Sequence, residues 1–126
     1  MAVARHTIIS KDYPRLLVEI GVKGLFSAHE YALVDTGFEG AVVVPEGVLK
    51  HDLGNPDGLG TWRVAGGGLI EAPLYMGAVN LIGTPDFNPW FVVPVPVMGN
   101  KYIIGRELID QFAVTFDHGK RVILKP

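Results

Sequence analysis

Branched apolar residues fall in short runs broken by Gly, Pro, Asn and Asp, which is the pattern of strands and turns rather than of long helices. Arg15-Leu-Leu-Val-Glu-Ile-Gly-Val22 is followed by a turn at Lys23-Gly24 and then by Leu25-Phe-Ser-Ala-His-Glu-Tyr-Ala-Leu-Val34, so the pair predicts a β-hairpin. The second of these strands runs straight into Asp35-Thr36-Gly37. A further apolar stretch, Ala41-Val-Val-Val44, follows before Pro45. A sharp loop between two buried strands is therefore expected to carry Asp35.

Residues 46 to 60 are polar and rich in Gly, Asn and Asp, and predict a surface loop with at most one helical turn near Val48 to His51. The segment Trp62 to Tyr75 holds Gly66, Gly67 and Gly68 between two strand-like arms, a glycine-tipped hairpin. Tyr75 to Ile82 predicts another strand, and 83 to 89 a turn-rich link. Trp90-Phe-Val-Val-Pro-Val-Pro-Val97 predicts an edge or irregular strand, because its prolines lack the N–H a central strand must donate. Lys101 to Gly105 predicts a short buried strand. The periodicity of Leu108, Ile109 and Phe112 predicts one helix over Arg106 to Phe112. Ala113 to Phe116 and Arg121 to Leu124 flank Asp117-His-Gly-Lys120 as a last hairpin.

Composition narrows the class. The chain of 126 residues, with sixteen Gly and nine Pro, fits one β-rich domain over 1–126. Eleven basic and thirteen acidic residues give a formal charge of −2 with no long run of either sign, so neither nucleic acid nor an anionic membrane is an expected partner. Without cysteine there is no disulfide, thiolate metal site or cysteine nucleophile. His6, His29, His51 and His118 are scattered without metal-ligand spacing, and the three glycines lack the strand, lysine and helix of a phosphate loop. No apolar run approaches the roughly 18 residues of a membrane span, and the amino-terminal MAVARHTIIS lacks a signal-peptide core. A cytoplasmic protein without metal or organic cofactor is the expectation.

The candidate chemistry centres on Asp35. Alone, Asp-Thr-Gly after a strand reads as readily as a turn, since Asp and Gly are ordinary turn residues. The wider order changes this: the same chain has a glycine-tipped hairpin and then Ile103-Ile104-Gly105-Arg106 opening the helix. Together these elements, over roughly residues 15 to 116, resemble the retroviral-type (retropepsin-like) aspartic proteases. The resemblance implies an all-β, small closed barrel-like fold with one short C-terminal helix and a flap hairpin over Trp62 to Leu74. It implies that Asp35 is the catalytic aspartate, that the Thr36 hydroxyl grips a partner loop, and that the Gly37 backbone approaches the paired carboxylates. Leu33, Val42, Tyr102 and Ile103 are then pocket-lining residues, Gly66 to Gly68 the substrate-covering tip, and Glu39 with Arg106 a supporting ion pair. The apolar character of Leu33, Val42, Tyr102 and Ile103 points to cleavage between hydrophobic side chains.

No other aspartate here begins Asp-Thr-Gly or Asp-Ser-Gly, so the second carboxylate is expected from another copy, giving a homodimer that hydrolyses peptide bonds. Strand residues Val122 to Leu124 are candidates for intersubunit pairing. Phe38 stands where this family usually has Ala, Ser or Thr. Without a hydroxyl to donate to Asp35, activity nearer neutral pH is expected. Two alternatives stay open: a non-catalytic peptide-binding or dimerisation module with the same fold and Phe38 blocking the paired carboxylates, and a small β-barrel for an apolar ligand in which Asp35 only makes a turn.

Overall fold

A computed structural model describes residues 7–63, 66–83 and 89–126. The alternation of β2 (Arg15–Val22) is strict: Leu16, Val18, Ile20 and Val22 are at most 1% exposed, and the residues between them face outward. β3 (Phe26–Val34) pairs antiparallel with it, from Val22↔Phe26 to Arg15↔Leu33. Lys23 and Gly24 both take positive φ at the connecting turn, as do His118 and Gly119 at the last hairpin, and this backbone matches the twist of paired strands.

The all-β expectation holds among the described residues. One sheet runs β4 (Val42–Val43), β8 (Ile103–Ile104), β3, β2, β6 (Leu69–Leu81) and β5 (Gly58–Arg63), and β7 (Trp90–Pro96) also pairs with β6. A second sheet orders β1 (Ile8–Ile9), β10 (Arg121–Lys125) and β9 (Ala113–Asp117). One apolar cluster draws on both, joining Ile8, Val122 and Leu124 to Leu16, Ile20, Val79, Leu81 and Ile104. No helix among the described residues is long and apolar enough to cross a membrane.

Four expectations need correction. Among the described residues the large sheet is a curled half-barrel, joined at the parallel bridge Val44↔Val97, rather than a closed barrel. There Val44 N–H donates to Pro96 O and Met98 N–H to Val44 O, but the next rung would need an N–H from Pro96, which has none. The α-helix covers only Arg106–Ile109; Gln111 and Phe112 continue it as tight turns, donating to Leu108 and Ile109 three residues back. Gly58 to Gly60, read as loop, begin β5, because Asp57 anchors the segment through its N–H to Leu74 O and its Oδ2 to the Met76 N–H. The second hairpin arm and the strand after it are one strand, β6, running through Pro73.

The terminal strand is paired within the chain. Both edges of β10 are occupied within the chain, by β1 and β9, and Val122 and Leu124 are fully buried. Other expectations hold: the helical turn at Glu46–Lys50, the extended β7 and the last hairpin. The link at 84–88 and the tip residues Val64 and Ala65 lie outside the described residues.

Candidate active site

Asp35 lies where β3 ends, on a loop anchored through β8. β8 enters late in the chain yet threads between β3 and β4: Leu33↔Ile103 and Val34↔Ile104 pair in parallel, and Val42↔Ile104 and Val43↔Ile103 antiparallel. The loop joining β3 to β4 must therefore cross the end of β8. Asp35 N–H donates to Ile104 O at 2.9 Å, and its Oδ1 accepts the Gly37 N–H at 2.8 Å, fixing the direction of the carboxylate. Thr36 beside it is exposed.

The chain after β8 holds the loop from the other side. N–H groups of Gly105, Arg106 and Glu107 donate to the carbonyls of Ala41, Phe38 and Gly40 at 2.9, 2.8 and 3.2 Å. Glycine is required at 105 because a Cβ there would collide with the Gly40 carbonyl and the Phe38 ring. Phe38 is 8% exposed, and its ring covers Gly40 and Gly105 and meets Trp62 of β5, centroids 5.1 Å apart. That contact joins the aspartate loop to the β5–β6 hairpin near its far end, where Trp62 pairs with Ile70, one pair from the end of the ladder. Trp62 Nε1 is buried without a hydrogen-bond partner, facing Gly60, where a Cβ would lie 3.0 Å from it.

A cleft of about 560 Å³ opens at Asp35, within the range of ligand sites. It is lined by Asp35, Gly37, Phe38 and Glu39 of the loop, by Val43 and Ile103 of β4 and β8, by Met98 to Lys101 of the segment before β8, and by Arg63 and Ile70 of the hairpin. The hairpin thus borders the same space as the carboxylate. Gly66 to Gly68 at its tip are exposed, with positive φ at Gly66 and Gly67, and do not line the cleft.

The remaining expected residues divide. Ile103 lines the cleft. Val42 is fully buried in the core, and the wall position falls to its neighbour Val43. Leu33 and Tyr102 are partly buried and outside the cleft lining. Burial, then the negative charge of Glu30, raises the Tyr102 phenol above its usual range. Glu39 and Arg106 do meet, Oε1 to Nη2 at 3.9 Å, in a solvated pair of the kind worth under about 1 kcal/mol. Sequence reasoning put Arg63 and Ile70 inside the Trp62 to Leu74 hairpin without singling them out, and missed Val43 and Met98 to Lys101. Of these, only the alternation of a short strand, which sends Val42 and Val43 to opposite faces, was a usable signal.

Among the described residues no group of His, Cys, Asp or Glu is arranged to hold a metal ion. No protein-family model matches this chain, and no curated protein matches it in sequence.

Proposed function

We propose that the chain is an aspartic endopeptidase, active as a homodimer, in which Asp35 from each copy hydrolyses a peptide bond. The observation that carries this reading is the position of Asp35. It stands on a loop clamped between β8 and the following helical turn, and it opens on a cleft bordered by a glycine-tipped hairpin.

The chemistry requires two carboxylates in unequal states. One, ionised, removes a proton from water as the oxygen attacks the scissile carbonyl; the other, protonated, hydrogen-bonds that carbonyl and carries the negative charge that develops there. Collapse of the tetrahedral intermediate breaks the C–N bond as a proton passes to the leaving amine. Adjacent carboxylates favour this division because both cannot ionise cheaply. Among the described residues the other acid lining the cleft is Glu39, which is paired with Arg106, and this supports a second carboxylate supplied by another copy.

The test is cleavage of a mixed peptide library by wild type and Asp35→Asn over a range of pH. Cuts made by the wild type and absent with the variant are expected. A dimer that binds peptides but cuts none replaces the peptidase reading with that of a binding module, and cleavage that survives in Asp35→Asn removes Asp35 from the chemistry.

A further inference from the structure

Resting on the peptidase reading, we propose that the cleft selects peptides carrying an acidic side chain close to the bond held at Asp35, recognised by Arg63 and Lys101. The two cations reach the cleft from different elements, Arg63 from β5 of the hairpin and Lys101 from the segment before β8. Arg15, Arg106 and Arg121 each have a carboxylate within 4 Å, on Asp12, Glu39 and Asp117. Arg63 has none among the described residues, nor has Lys101. The acids that line the cleft are engaged elsewhere, Asp35 by the Gly37 N–H and Glu39 by Arg106.

The surroundings make this charge selective. Arg63 and Lys101 are exposed to an approaching ligand, and Val43, Ile70, Met98 and Ile103 give the cleft beside them an apolar lining. A guanidinium fork binds a carboxylate through two parallel N–H bonds, and an ammonium adds a point charge. An extended peptide would lay an apolar side chain against the apolar lining and an acidic one against the cations. This alters the simple expectation of a wholly apolar specificity.

The experiment uses the full-length chain with Asp35→Asn, so binding is read apart from turnover. Fluorescent peptides share a central apolar pair and carry Glu, Gln or Lys at each flanking position in turn. Glu peptides are expected to bind about tenfold more tightly than their Gln counterparts at one or two positions, and the preference should shrink in salt. Arg63→Gln and Lys101→Gln, checked for unchanged thermal unfolding, should each reduce that ratio, and Arg63→Glu with Lys101→Glu should turn it towards Lys peptides. Equal binding of all three series, no binding of any, or a Glu preference that ignores both substitutions overturns the proposal. Wild-type turnover on the same peptides is scored separately: Glu-selective binding without cleavage removes the peptidase reading and keeps this one, and cleavage indifferent to charge does the reverse.

Discussion

The rings of Phe38 and Trp62 lie 5.1 Å apart, inclined at 51°, and tie the loop that bears Asp35 to the hairpin across the cleft. Phe38 is the buried aromatic residue of that loop. The ring rests over two glycines, Gly40 and Gly105, whose missing side chains make room for it.

This arrangement predicts a selective rescue. The three atoms nearest a Cβ at Gly40 belong to side chains, Phe38 Cζ at 2.7 Å and Trp62 Cη2 at 3.0 Å among them, whereas one at Gly105 would also strike the carbonyls of Gly40 and Phe38. Gly40→Ala and Gly105→Ala should each cost about 2 to 3 kcal/mol in denaturant unfolding. Adding Phe38→Ala should recover most of the loss for Gly40→Ala and little for Gly105→Ala. Equal recovery in both would show that backbone contact is not what fixes Gly105.

Phe38 also bears on pH. Phe38→Ser removes a buried ring, at a cost of about 3 kcal/mol in stability, and puts a hydroxyl on the same loop three residues after Asp35. A donor to the carboxylate favours its charged form, so the activity optimum should move to lower pH. An optimum that does not move, in enzyme shown to be folded at each pH, counts against a link between residue 38 and the ionisation of Asp35.

Tyr102 supplies a prediction for alkaline stability. Burial and Glu30 hold its phenol above the ordinary value of 10.0, so the folded state keeps its proton longer than the unfolded chain does. That contribution is complete below the unfolded value and is lost as pH rises through the folded one. Tyr102→Phe should therefore lose less stability than wild type above about pH 10, and unfolding midpoints at pH 8 and at pH 11 measure the difference. Glu30→Gln should act in the same direction and less strongly, since burial is the larger cause.

Glu39→Gln should change the unfolding midpoint little, because its pair with Arg106 is solvated and 3.9 Å long. A loss above about 1 kcal/mol would mean that the pair carries more of the loop than its geometry suggests.

Much of this was legible because strands with one buried face announce themselves by alternation: Leu16, Val18, Ile20 and Val22 fixed β2, and Lys23-Gly24 marked its turn. The loop at Asp35 was legible for the same reason, since apolar runs stop on both sides of it. What stayed hidden depends on contacts distant in sequence. Gly58 to Gly60 have little tendency to form strand and do so only because Asp57 bonds to β6. The incomplete closure of the sheet turns on one missing N–H at Pro96, which matters only because β4 arrives beside it. Arg63 and Lys101 are unremarkable surface cations in sequence. They acquire meaning when the hairpin and the segment before β8 meet at one cleft.

The central claim, that two copies of Asp35 form one site, is tested most directly by mixing wild-type and Asp35→Asn chains under conditions that allow subunit exchange. If both carboxylates must come from paired wild-type chains, activity follows the square of the wild-type fraction, and an equal mixture retains about one quarter of the activity of the same total concentration of wild type. Activity that follows the fraction linearly, leaving about one half, would contradict the account, because each chain would then be working alone.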